Sequence, residues 1–187
     1  KKLMLFVLLV CCAQMSVAQN TLKTPDEFLP HHLGDQFTPH HMLVDYFEYL
    51  AANAPQTMRL EKYGATNEAR PLQGACFSSA ENLKNLEQIR INNLRLAGLE
   101  PGRPDLSRPV VIVWISMSVH GNEASGSECS MELAWRLAAQ SDPQIREWLQ
   151  NTVVVLDPAL NPDGYDRYSH WNRSVSNRLL SPHPETR

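Results

Sequence analysis

The sequence contains little cysteine and no concentration of positive charge. Four of its 187 residues are cysteine, and two of them, Cys11 and Cys12, lie in an apolar stretch near the N-terminus. The two that remain, Cys76 and Cys129, are too few for a disulfide-stabilised scaffold, and the sequence leaves open whether they pair with each other. The formal net charge is -3, and the 17 Lys and Arg residues form no dense run. The sequence therefore offers no electrostatic basis for a nucleic-acid partner.

Apolar residues are abundant enough for a folded core. The chain is 43% hydrophobic and 20% charged, which is typical of a single globular domain. Residues 1–18 have the pattern of a signal peptide, in which Lys1-Lys2 precedes the apolar stretch Leu3–Cys12 and small residues precede a cleavage site after Ala18. This stretch is shorter than the ~20 apolar residues that span a bilayer. We expect a secreted or periplasmic protein with no stable membrane insertion after cleavage.

The rest of the chain alternates between helical and strand patterns. Residues 19–37 contain Pro and Gly without a sustained period and are interpreted as an irregular lead-in. A first helix is predicted to begin at Pro39, with Thr38 as its N-cap, and to stop at Pro55. Two more helices are predicted over 79–97 and 123–140. Strands are predicted over 57–63, 72–77, 110–116 and 153–156. The first two strands form a hairpin. The last two are uniformly apolar and separated by a helix, which predicts an α/β fold with parallel strands covered on both faces.

Polar side chains follow each of the two apolar strands. Strand 110–116 leads into His120-Gly121-Asn122-Glu123, and strand 153–156 leads into Asn161-Pro162-Asp163-Gly164. Because the carboxyl ends of parallel strands meet at one edge of a sheet, we expect these two segments to be neighbours. A neutral imidazole and an ionised carboxylate suit zinc, and catalytic zinc takes a third protein ligand, which must come from elsewhere. The alternatives are a surface histidine beside a helix-start glutamate and, for the second segment, an ordinary turn.

Three segments in this order resemble the zinc metallocarboxypeptidases of the carboxypeptidase A type. They are Gly64-Ala65-Thr66-Asn67-Glu68-Ala69-Arg70-Pro71-Leu72, His120-Gly121-Asn122-Glu123 and Asn161-Pro162-Asp163-Gly164, and the longer string that continues to Tyr168 is similar to bacterial secreted members. The resemblance implies an α/β/α sandwich on a mixed, largely parallel sheet. It also implies a zinc cofactor and a peptide or protein substrate from which C-terminal residues are hydrolysed.

The resemblance implies roles for individual residues. It implies that His120 and Glu123 are zinc ligands and that Arg70 and Asn161 bind the substrate. An arginine after the Asn-Pro-Asp-Gly segment helps to polarise the scissile carbonyl, a role that suits a fixed guanidinium. Arg167, Arg173 and Arg178 all follow that segment. Of these three, Arg173 is the preferred catalytic candidate.

The resemblance also indicates that part of the machinery lies beyond residue 187. The third zinc ligand, the Asn-Arg pair that binds the substrate's terminal carboxylate and the Glu general base have no equivalents in the sequence. Residues 38–187 are therefore interpreted as the N-terminal part of a longer catalytic domain, whose sheet is incomplete at the C-terminus and which is expected to be inactive alone. Two alternatives stay open: a secreted non-catalytic relative that binds peptides, and an amidohydrolase acting on small N-acyl amino acids. The sequence specifies no oligomeric state.

Overall fold

The computed structural model describes residues 22–176. The strands are β1 (Met58–Ala65), β2 (Pro71–Phe77), β3 (Val111–Ser116) and β4 (Thr152–Asp157). The helices are α1 (Pro25–Phe28), α2 (His40–Asn53), α3 (Ala80–Lys84), α4 (Leu86–Leu96), α5 (Ala124–Ala139), α6 (Pro143–Trp148) and α7 (Pro162–Val175). The predicted signal peptide, residues 1–18, lies outside the described residues. No helix within 22–176 is both long and apolar enough to cross a bilayer.

The four strands form one mixed sheet in the order β1-β2-β4-β3. β1 and β2 pair antiparallel as the predicted hairpin, β2 pairs antiparallel with β4, and β4 pairs parallel with β3. The prediction of a mixed sheet flanked by helices is confirmed. Within the sheet formed by residues 22–176, parallel pairing is confined to β3 and β4, because β2 of the hairpin pairs antiparallel with β4. This part of the sheet is therefore less parallel than the resemblance implies.

Helices cover the two faces of the sheet unequally. On one face, α2 and α5 enclose the main core with β2 and β4, and this core includes Leu43, Tyr46, Phe47, Phe77, Met131 and Leu156. On the other face, Ile89 of α4 packs with Val110 and Val153. Within the described residues β3 is the edge strand, and it lacks the predicted cover on both faces, since Trp114 is 68% exposed and Val113, on the opposite face, is 40% exposed.

Two helix boundaries differ from the prediction. Thr38 is not the N-cap of α2, since that position belongs to Pro39 and no side chain caps the helix. The amide and hydroxyl of Thr38 instead donate to the carboxylate of Glu128 on α5 over 2.5 and 2.9 Å. The helix predicted over 79–97 is interrupted at Asn85, whose backbone departs from helical geometry and separates α3 from α4. Through its hydrogen bonds with Glu128, Thr38 connects the lead-in to α5 and does not cap α2.

The sequence patterns predict no helix after the Asn-Pro-Asp-Gly segment, yet α7 begins within it. Asn161 is the N-cap, and Pro162 follows in the first turn, where its missing N–H costs no hydrogen bond. The buried side chains of α7 also include Tyr165, Ser169 and Asn172. Two of these three are polar, so a search for apolar periodicity does not detect the helix.

The two cysteines of the described chain do not pair. Cys76 on β2 is half-buried, Cys129 on α5 is exposed, and both are free thiols. The possibility of a bridge between them, which the sequence left open, is not realised in this structure.

Candidate active site

A main-chain contact joins the ends of β3 and β4. The amide of Asn161 donates to the carbonyl of Ser118 over 3.2 Å. Ser118 has a φ of 49°, a left-handed conformation that is uncommon for a residue with a Cβ and is often found near functional sites. Its buried hydroxyl lies 2.7 Å from the hydroxyl of Ser127 on α5. These contacts hold the 120–123 segment beside the 161–164 segment, as the sequence predicts.

His120 and Glu123 lie side by side and are called the metal pair below. The Nδ1 atom of His120 is 3.2 Å from Oε1 of Glu123, and the His120 amide donates to Oε2 over 2.9 Å. The two side chains are 75% and 55% exposed. The hydrogen bond from the His120 amide, together with the neighbouring imidazole, lowers the pKa of the Glu123 carboxyl, which is therefore ionised at neutral pH. The segment presents an imidazole nitrogen and an anionic carboxylate oxygen, two atom types that bind metal ions, together to solvent.

Gly121, between these two residues, is required by the close approach of another main chain. Its φ does not lie in the left-handed region, so conformational freedom is not the reason for glycine here. A Cβ at this position would overlap the carbonyl group of Gly164 and lie 2.7 Å from its Cα. Because both obstacles are main-chain atoms, no change of rotamer can relieve the overlap. The 120–123 segment therefore rests directly on the first turn of α7.

Asn161 caps α7 and also holds the loop that precedes the metal pair. Its Oδ1 accepts a hydrogen bond from the amide of Gly164 over 3.0 Å, and its Nδ2 donates to the carbonyl of Val119 over 3.3 Å. Both polar atoms of the Asn161 side chain are thus hydrogen-bonded within the protein, and one of the partners is the carbonyl of Val119, the residue before His120. The substrate contact predicted for Asn161 stays a prediction.

Arg70 lies in a cluster of carboxylates that joins the β1–β2 turn to α7. It donates to Glu68, Asp163 and Asp166 over distances of 2.5 to 3.0 Å. The hydroxyl of Thr66 donates to Asp163 over 2.7 Å. No local pattern in the sequence indicates the two aspartate partners of Arg70, which stand 93 and 96 residues further along the chain. The substrate contact predicted for Arg70 also stays a prediction.

The structure does not bring Arg173 to the metal pair. Arg173 is exposed in the last turn of α7, about 14 Å along the helix axis from Gly164. Arg167, on the same helix, pairs with Glu68. Arg178 lies outside the described residues. The identity of an arginine that polarises the scissile carbonyl therefore stays a prediction.

Comparison with known protein families shows which family the chain belongs to. The model of the zinc carboxypeptidase family, peptidase family M14, matches residues 43–181, about three quarters of the chain. The chain belongs to the zinc carboxypeptidase family. The match includes the metal pair, the Asn-Pro-Asp-Gly segment and Arg70.

Individual zinc carboxypeptidases are similar over part of their length. Human (Homo sapiens) carboxypeptidase D is 26% identical over 145 residues, which are 76% of this chain and 8% of that protein. Human carboxypeptidase Z is 36% identical over 69 residues, which are 35% of this chain and 10% of that protein. The chain thus spans about a tenth of the length of these curated relatives.

Solved structures support the same fold. The metallo-carboxypeptidase from Burkholderia cenocepacia superposes with a TM-score of 0.51 at 19% identity, covering 79% of this chain and 35% of that chain. Carboxypeptidase A from Helicoverpa armigera superposes with a TM-score of 0.50 at 18% identity, covering 78% of this chain and 28% of that chain. At these identities the likeness concerns the fold alone.

Membership of the zinc carboxypeptidase family implies a zinc ion, and the metal pair fits part of its site. Ligand atoms that lie about 2.0–2.2 Å from a tetrahedral zinc are about 3.3–3.6 Å apart. The Nδ1 of His120 and Oε1 of Glu123, which are atom types that zinc prefers, are 3.2 Å apart. Among residues 22–176, no group of three or more His, Cys, Asp or Glu side chains is placed to hold a metal ion. Among the described residues, His120 and Glu123 therefore present two atoms of the kind and spacing that one part of a zinc site requires.

Proposed function

We propose that the protein is a zinc-dependent carboxypeptidase that removes C-terminal residues from peptides or proteins. The observation on which the proposal depends is the 3.2 Å separation between Nδ1 of His120 and Oε1 of Glu123, close to the ends of two neighbouring parallel strands. The family match over residues 43–181 supports the same reaction class. The carboxypeptidase A type, a bacterial origin and export directed by residues 1–18 to the periplasm or the exterior belong to the same proposal and depend on the sequence motifs.

In this proposal the metal pair binds zinc through a neutral imidazole and an ionised carboxylate. Zinc bound there supplies a Lewis acid that polarises the scissile carbonyl and lowers the pKa of a bound water. The hydrogen bond from the His120 amide keeps Glu123 ionised and fixes its carboxylate beside the imidazole. Both side chains are exposed, which leaves room for a peptide to approach. The third ligand and the general base are expected outside residues 22–176, which hold no group of three or more possible metal ligands.

The proposal is tested by comparing peptides with free and amidated C-termini as substrates of the full-length protein. We expect release of the terminal amino acid from the free peptide only, loss of activity with a zinc chelator and recovery when zinc is restored. Glu123→Ala should lower kcat/KM by more than about 100-fold, because removal of a ligand exceeds the effect of removing its outer partners. Glu147→Ala, at an exposed glutamate of α6, is the matched control and should leave kcat/KM unchanged.

Other outcomes of this assay identify the alternatives. Peptide binding without hydrolysis, unaffected by zinc, would favour a non-catalytic relative. Hydrolysis of N-acyl amino acids but not of peptides would favour an amidohydrolase. Equal activity of wild type and Glu123→Ala toward free peptides would contradict the proposed ligand.

A further inference from the structure

The guanidinium of Arg70 is already occupied by carboxylates of its own chain. Nη1 binds Glu68 and Asp163 at 2.5 and 2.8 Å, and Nε and Nη2 both bind Asp166, at 3.0 and 2.8 Å. The side chains of Asp163 and Asp166 are only 16% and 13% exposed. Partly buried, charge-assisted hydrogen bonds of this kind are stronger than those of exposed ion pairs. A substrate carboxylate would have to compete with three anionic groups for the same cation.

These contacts reach the metal pair through the start of α7. Asp163 directly precedes Gly164, the residue against which Gly121 packs. Gly121 in turn is bonded to His120. A continuous series of contacts therefore leads from Arg70 through the first turn of α7 to the segment that presents the metal pair.

We propose that Arg70 is a positioning residue for the metal pair. By neutralising Asp163 and Asp166 it fixes the first turn of α7, and the turn fixes the segment with the two ligands. Without Arg70, two partly buried carboxylates lose their counter-charge, and their repulsion and solvation displace the turn. The inference depends on the proposed function only where it treats the metal pair as zinc ligands.

The test uses the full-length protein with Arg70→Gln, Asp163→Asn and the double variant. Zinc affinity is measured by competition with a chelator, and hydrogen exchange is measured for the amides of residues 118–123. Arg70→Gln should weaken zinc affinity by about 10- to 100-fold, the range for residues that orient metal ligands, and should accelerate exchange. The double variant should recover part of the loss, because Asp163→Asn removes a carboxylate that Arg70→Gln leaves unpaired. Arg90→Gln, at an exposed arginine paired with Glu87 on α4, is the control and should change neither measurement.

A substrate role for Arg70 gives a different result. Arg70→Gln would then raise KM for peptides with a free C-terminus while zinc affinity and exchange stayed at the wild-type values, and this would overturn the proposal. If Arg70→Gln does not fold, Thr66→Val removes the hydroxyl that donates to Asp163 and accepts from the Arg70 amide, and it should change both measurements in the same direction by less. Wild-type values for Thr66→Val in that case would overturn the proposal.

A failure of the proposed function is distinguishable from a failure of this inference. If the wild-type protein binds no zinc, the proposed function is contradicted, but exchange at residues 118–123 still compares wild type with Arg70→Gln. Faster exchange in the variant supports the positioning role. Equal exchange overturns it.

Discussion

Replacing Gly121 by alanine tests whether the 120–123 segment rests on α7 as described. The added Cβ would overlap the carbonyl group of Gly164 and lie 2.7 Å from its Cα. Ordinary contacts between carbon atoms are about 3.5–4.0 Å long, so one main chain must move by roughly an ångström. The segment with the metal pair and the first turn of α7 are the only two parts that can move apart to relieve this overlap.

The cost of this overlap follows from the nature of its atoms. Adding a methyl group to a tightly packed position usually costs about 1–3 kcal/mol, and the upper part of that range applies where no side chain can rotate away. We therefore expect Gly121→Ala to lower the free energy of unfolding by about 2–3 kcal/mol. If the segment instead lifts off α7, the stability loss is smaller and zinc affinity falls, since the ligands move.

Gly126→Ala is the matched control on α5. Its Cβ would meet the sulfur of Met117 at 3.4 Å and the Met117 Cβ at 3.5 Å, which are ordinary contacts. An alanine inside a helix is favoured over glycine by about 1 kcal/mol, so this variant should be slightly more stable than wild type. Urea denaturation of the full-length protein and chelator competition for zinc measure both variants. A Gly121→Ala protein with wild-type stability and wild-type zinc affinity would refute the contact with Gly164.

Three further substitutions test other features. Ala69 has a φ of 62°, so Ala69→Gly should raise the free energy of unfolding by about 1 kcal/mol in thermal denaturation, and a loss would contradict the left-handed backbone. Burial raises the pKa of Glu128, so its contribution to stability is present at low pH and is lost as pH rises through the raised pKa. Glu128→Gln should therefore lose less stability between pH 4 and 8 than wild type in urea titrations, and parallel curves would contradict the buried carboxyl. Asn161→Ala removes the cap on the Gly164 amide and should be about 1 kcal/mol less stable than wild type in urea denaturation, whereas wild-type stability would contradict the cap.

Local patterns in the sequence predicted most elements near the site. The helix predicted over 123–140 is observed as Ala124–Ala139, and the strand predicted over 153–156 is observed as Thr152–Asp157. The helix has apolar side chains at helical spacing and the strand is uniformly apolar, and both patterns depend only on neighbours in the sequence. The proximity of segments 120–123 and 161–164 was also predictable, because parallel strands place their carboxyl ends on one edge of the sheet. This rule needs no knowledge of the remaining fold.

The features that could not be predicted depend on contacts between distant parts of the chain. The position of β2 beside β4 is a choice of strand partner, and strand periodicity is the same whichever partner is chosen. The carboxylate partners of Arg70 lie on α7, a helix whose buried side chains are partly polar and so lack an apolar period. The need for glycine at 121 arises from the main chain of Gly164, which no local pattern reports.

Anomalous diffraction at the zinc edge, on crystals of the full-length protein grown with zinc, locates the metal relative to His120 and Glu123. The proposed role of the metal pair predicts a peak about 2.0–2.2 Å from an imidazole nitrogen of His120 and from a carboxylate oxygen of Glu123. A zinc peak remote from both side chains, or side chains that point away from each other in the zinc-bound protein, would contradict it.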